Sequence, residues 1–138
     1  MTKLKLRATE ISDVEVIASA IQDAIFQVGQ TRYDSDGRNF TLRLSRYRHE
    51  ATTPQRIECG LRFDGVMSVK SQGVETTKSD AFAVILGLKF ISEDGPSGYF
   101  NLDLAGGGVI RLEVEAIDLT LADRGEARST KHIPTHDR

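Results

Sequence analysis

The chain has 138 residues, enough for one domain that buries about two-thirds of its unfolded surface. Its 39% hydrophobic and 28% charged residues are ordinary for a globular protein, and 18 basic against 20 acidic side chains leave a net charge of −2. That balance excludes a whole-molecule attraction to nucleic acid or to an anionic membrane, and no apolar run approaches the length of a membrane span.

The start of the chain turns polar at Arg7, too early for a secretory leader, so the cytoplasm is the expected location. Leu4 to Arg7 has the pattern of a short first strand. A helix is expected over Asp13 to Phe26. Ser12 and Glu15 have the spacing of a capping box, with Ile11 and Val16 placed as a hydrophobic staple. Val14, Ile17, Ala18, Ile21, Ala24 and Ile25 then form one apolar stripe, and Gly29 is placed to cap its end.

A first β-meander is expected from Val28. A strand through Thr31 and Tyr33 leads to the turn Asp34-Ser35-Asp36-Gly37, where glycine supplies the positive φ a hairpin needs. Phe40 to Arg48 is the second strand and Arg56 to Val69 the third, joined by a polar loop, His49 to Gln55. In the third strand Ile57, Cys59, Leu61 and Phe63 alternate, but Val66 falls out of phase after Gly65, so a bulge is expected there. Ser71 to Asp80 has the composition of a linker.

The second meander opens with Ala81 to Ile91, which alternates as a strand although Ala81 to Leu86 also fits a helix start. A turn at Glu93 to Gly98 precedes a hairpin of Tyr99 to Ala105 and Val109 to Leu121 around Gly106-Gly107-Gly108. Phe100-Asn101-Leu102-Asp103-Leu104-Ala105 repeats Phe40-Thr41-Leu42-Arg43-Leu44-Ser45, and each follows an Asp-Gly pair. Leu112-Glu113-Val114-Glu115-Ala116-Ile117 likewise lies over Leu61-Arg62-Phe63-Asp64-Gly65-Val66. This indicates an internal duplication, about 28–70 and 81–122, within a domain spanning 1–122. Residues 123–138 are polar and are expected to form a weakly ordered tail.

Charge divides with the copies. Arg32 to Lys70 holds eight basic and five acidic residues, a net of +3; Asp80 to Asp123 holds two and eight, a net of −6. These charges either neutralise each other within one chain or meet between subunits, which would favour a homodimer.

The basic cluster Arg43, Arg46, Tyr47, Arg48, His49 and Arg56 is the candidate binding site. Guanidinium forks suit carboxylate or phosphate, and Tyr47 adds a stacking surface. A small anionic ligand, or weak RNA binding through the first meander, would use them; the same charges also suit a solvated sheet edge. The three glycines open onto a strand with no following Lys-Ser or Lys-Thr, which fits a tight hairpin better than a phosphate loop. Asp103, Glu113, Glu115 and Asp118 fit a solvated sheet face. His132 and His136 are separated by Pro134, which opposes a metal-binding helix. Cys59, the lone cysteine, fits a small core residue. No catalytic constellation, metal site or cofactor is expected. A non-enzymatic binding or interaction module is the first functional reading, and a sensor or enzyme acting on an anionic ligand is the second.

Leu61 to Val66, Ala105 to Asp118, Leu6 to Glu10 and Gln22 to Ala24 together give the chain a familiar signature. It resembles a family of small alphaproteobacterial proteins known only as a domain of unknown function, over roughly residues 4–136. The resemblance implies a bacterial, single-domain, cytoplasmic protein and carries no chemistry that can be transferred. The expected fold is α+β: one N-terminal amphipathic helix on antiparallel sheet built from two three-stranded meanders. It closes as a barrel or roll of pleckstrin-homology-like shape, or stays open as a two-layer sandwich.

Overall fold

Alternation of apolar and polar side chains governs most of this sequence, and the chain folds into strands accordingly. The computed structural model describes residues 3–74, 80–131 and 133–134. Among these are one α-helix, α1 (Ile11–Ile21), and ten strands. The strands are β1 (Lys5–Ala8), β2 (Ile25–Gln27), β3 (Arg32–Asp34), β4 (Asn39–Tyr47), β5 (Gln55–Asp64), β6 (Val66–Gln72), β7 (Phe82–Ser92), β8 (Gly98–Leu104), β9 (Val109–Val114) and β10 (Leu119–Ser129). With so much strand, α+β is a loose description.

The helix is shorter than its apolar stripe. Glu10, in extended conformation, precedes it instead of Ser12, and Ile11 and Val16 are exposed rather than stapled together. Gln22 leaves the helical path with ψ 133°, and Asp23 turns the chain further at φ +69°, a left-handed geometry that short polar side chains tolerate. Ala24 and Phe26 are buried all the same, because the chain continues as β2 on the core side of the sheet. Gly29 lies in a single 3-10 turn, Val28–Gln30, between β2 and β3.

All pairing is antiparallel, in the order β1-β10-β5-β4-β2-β7-β8-β9-β6, with β3 beside β4. Outward from the β2–β7 contact, each side runs through two consecutive strands, β4 and β5 or β8 and β9. The next place is taken by a strand from the opposite side: β10, which follows β9, pairs with β5, and β6, which follows β5, pairs with β9.

The phase slip at Gly65 is this crossing. Gly65 at φ +69° ends β5, and β6 starts one residue later in the other half of the sheet. Val66 is therefore fully buried despite its phase, facing the shared core from the other side. The same happens between Val114 and Leu119. Thus the expected continuous third strands, Arg56 to Val69 and Val109 to Leu121, are each divided.

The two halves share one apolar core. Phe63 of β5 meets Phe100 of β8 at 5.0 Å between ring centroids, Phe40 lies behind Phe63 and Phe90 behind Phe100. Val14, Ile17 and Ile21 of α1 are buried in the same cluster, and the helix packs on β7, β1 and β4. The sheet does not close into a barrel or a pleckstrin-homology-like roll: β1 and β6 stand at opposite ends, and the helix covers the core instead. Residues 123–129, placed in the tail by their polarity, form the end of β10. His132 and His136 lie outside the described residues. No helix among the described residues is long and apolar enough to cross a membrane.

Candidate functional site

Strand phase decides which arginines reach solvent. On β4, Phe40, Leu42, Leu44 and Arg46 point inward and are buried, while Thr41 and Arg43 point outward. Arg46 is thus drawn into the core, and its charge has to be matched there. Its Nε and Nη2 donate to Asp123 at 2.7 Å each, and Nη1 and Nη2 donate to Glu50 at 3.1 and 2.8 Å. Burial opposes this charge, but the four bonds prevail and hold the guanidinium above its ordinary pKa. The Glu50 carboxyl is pulled down to about 2, chiefly by accepting from Arg46.

Four more of the sequence-selected residues serve the neighbouring loop. Arg48 donates to Glu50 and to the Gln55 side chain, closing residues 48–55 on themselves. His49 Nε2 lies 3.2 Å from the Gln22 carbonyl oxygen at the end of α1. Its ring meets Tyr47 edge-on at 5.1 Å, and the Arg56 guanidinium lies 5.9 Å from the Tyr47 centroid. Arg56 donates to the carbonyls of Ser45 and Asp23, and burial pulls its pKa down. Tyr47, His49 and Arg56 thus form one cluster, Arg46 and Arg48 share Glu50, and Arg43 lies beside Glu58 in a cleft that it lines with Arg56.

That outer face carries a larger constellation. Residues that pair across β3, β4, β5, β10 and β1 form the row Arg32, Thr41, Arg62, Thr120, Arg7. Alternate strands therefore present an arginine about every 10 Å, with a threonine hydroxyl between. The adjacent row, Arg43, Gly60, Ala122 and Lys5, has small residues at its centre, so the surface dips between basic ends. The first row, with Arg43 and Gly60 of the second and Arg124, lines a groove of about 780 Å³. A second cleft of about 370 Å³ shares Gln30, Arg43 and Arg124 with it and extends to Arg56, Arg128 and Phe82.

The carboxylates at this face are rim partners. Arg43 lies 3.3 Å from Glu58, Arg62 3.0 Å from Asp64 and Arg7 3.4 Å from Asp118, all with at least a third of the guanidinium-bearing side chain in water. Pairs of this kind contribute little to stability and leave the guanidinium groups in contact with solvent. A hydrogen bond to Asp64 holds Arg62 above its ordinary pKa, so its charge is permanent.

Arg43 and Arg56 were legible as members of a basic cluster. Arg32 and Arg62 join it through the pairing of β3, β4 and β5, and Arg7 and Arg124 were not legible, because only the crossing of β10 to β5 brings them there. The useful signal was phase: Arg43 and Arg62 both alternate with core residues and so share an outer face.

Other candidates are accounted for locally. The acidic stretch neutralises basic residues of the same chain through Asp118 with Arg7, Glu115 with Arg38 and Asp123 with Arg46. Gly106 and Gly107, at φ +88° and +95°, turn the β8–β9 hairpin. Cys59 is fully buried and its thiol is pushed up to about 12, first by burial and then by the charge of Asp123, which removes it from nucleophilic work. Among the described residues, no three His, Cys, Asp or Glu side chains are grouped to hold a metal ion.

A family model described as a protein of unknown function, DUF2948, matches residues 4–136. No curated protein and no solved structure matches the chain.

Proposed function

We propose, for this chain that belongs to the DUF2948 family, a non-enzymatic binding function in which the outer face of β4, β5, β10 and β1 holds an anionic ligand. The observation that carries this reading is the convergence of Arg7, Arg32, Arg43, Arg62 and Arg124, with Thr41 and Thr120, on one groove. Guanidinium forks and hydroxyls donate to oxyanions in fixed directions. They stay in one charge state near neutrality, which suits holding an anion rather than moving a proton. The volume lies within the range of ligand sites.

Inorganic tripolyphosphate is a suitable probe. Calorimetric titration of the full chain at low salt is expected to show saturable binding, weakened at least about tenfold in the double variant Arg43→Gln, Arg124→Gln. Equal affinity in both proteins, or no binding by the wild type, overturns the reading.

Duplication of one antiparallel unit supports the role of scaffold. The mirrored strand order about β2–β7 favours it, as does matched burial of Phe40 and Phe100, Leu42 and Leu102, and Leu61 and Leu112. The second copy differs by two residues of register: Phe40 faces Phe63, whereas Phe100 faces Leu112, the counterpart of Leu61. A two-residue displacement keeps every side chain on its own face. A bacterial, cytoplasmic setting suits the lone thiol. A homodimer would form along β1 or β6, each hydrogen-bonded within the sheet on one side only. Light scattering is expected to return twice the chain mass, and a single-chain mass at working concentration removes the dimer.

A further inference from the structure

Resting on the anion-binding reading, we infer that the natural ligand of this groove is single-stranded nucleic acid. The two clefts form one track, since Gln30, Arg43 and Arg124 line both. It crosses six neighbouring strands, β1, β10, β5, β4, β2 and β7, a span of about 24 Å at about 4.8 Å per strand. A single phosphate or carboxylate occupies only a small part of such a track. Its walls carry seven arginines (Arg7, Arg32, Arg43, Arg56, Arg62, Arg124 and Arg128) against the four carboxylates of Glu58, Asp64, Asp118 and Glu126, a net of +3. A ligand with charge repeated along its length matches that distribution.

The second observation lies at the far end. Phe82 lines the smaller cleft and is 71% exposed, the most exposed large apolar side chain among the described residues. A bare ring contributes nothing to holding an oxyanion, but a nucleobase stacks on it. Charged tracks with exposed rings are how proteins hold unpaired strands without reading sequence. A duplex is a poorer match, because its base faces already stack on each other. The near-zero net charge of the whole chain does not oppose this, since Glu115 and Asp123 are spent on Arg38 and Arg46 outside the groove, which stays basic with Asp118 counted in it.

The test is fluorescence anisotropy of a labelled oligouridine of roughly twelve nucleotides with the full chain. The logarithm of the affinity is expected to fall linearly with the logarithm of salt concentration. Phe82→Ala should weaken the oligouridine about tenfold and leave tripolyphosphate affinity unchanged; a duplex of equal length should bind less tightly than the single strand. If tripolyphosphate binds but the oligouridine does not, or if Phe82→Ala leaves oligouridine affinity unchanged or the duplex binds equally well, the nucleic-acid inference fails and the anion site stands. If neither probe binds, both fall.

Discussion

Replacing Asp123 by Asn is expected to cost the fold about 3–5 kcal/mol, seen as a lower urea midpoint with an unchanged slope. Arg46 reaches from β4 into the core with 1% of its side chain exposed, and Asp123 on β10 is equally covered. Two bonds of 2.7 Å join them across the intervening β5. Without that carboxylate the guanidinium keeps Glu50, which is 42% exposed and compensates far less. Asp123 also accepts from the Leu4 backbone N–H at 2.8 Å, so the same change loosens the chain entering β1.

Replacing both partners, Arg46→Met with Asp123→Leu, is expected to cost much less than the two single changes together, because no charge is then stranded. A loss below about 1 kcal/mol for Asp123→Asn would mean that the pair behaves like a surface one. The pH dependence follows from Glu50. Its carboxyl is held down at about 2 in the folded chain against an ordinary 4.5, so its contribution is complete above pH 4.5 and is lost as the pH falls through about 2.

Phe100→Ala is the second large effect, again about 3–5 kcal/mol. The ring is fully buried and links the halves of the sheet, 5.0 Å from Phe63 and 5.1 Å from Phe90 by centroid distance. Its removal leaves a cavity between the halves, and it removes one edge-on and one tilted aromatic contact beyond the lost burial. Denaturant unfolding of Phe82→Ala is the matched control. At 71% exposure that ring should change stability by no more than about 0.5 kcal/mol, which also makes it a clean variant for binding work. Equal losses for the two variants would contradict the aromatic chain as the seam between the halves.

Local periodicity carried most of the secondary structure. The alternation around Leu42, Leu61, Leu102 and Leu112 reports a buried face wherever the strand lies, so β4, β5, β8 and β9 were legible. Pairing within each meander, β3-β4-β5 and β7-β8-β9, was legible too, but the partners of β6 and β10 were not. A slip of one residue at Gly65 is equally consistent with a bulge and with a strand that leaves its sheet, and only the position of β9 distinguishes them. The helix end was misplaced because Ala24, Ile25 and Phe26 continue the apolar content of α1 while belonging to a strand; the left-handed Asp23 between them leaves no clear mark on composition.

The site was hidden for a related reason. Clustering in sequence selected Arg46, Arg48 and Arg56 with Arg43, yet phase sends Arg46 inward, and loop contacts occupy Arg48 and much of Arg56. The groove draws Arg7, Arg62 and Arg124 from three strands that are remote in the chain and adjacent only in the sheet. Charge counting along the sequence blurs such a surface, since Asp118 and Asp123 lie close in sequence to Arg124 but pair with Arg7 and Arg46.

An anion site on the outer face is tested most directly by following backbone amides of the isotopically labelled chain by NMR as tripolyphosphate is added at low salt. Shifts concentrated at Thr41, Arg43, Gly60, Arg62, Thr120 and Arg124, with α1, β8 and β9 undisturbed, are the expected result. Shifts confined to the helix or to β8 and β9, or a spectrum that does not change, would contradict it.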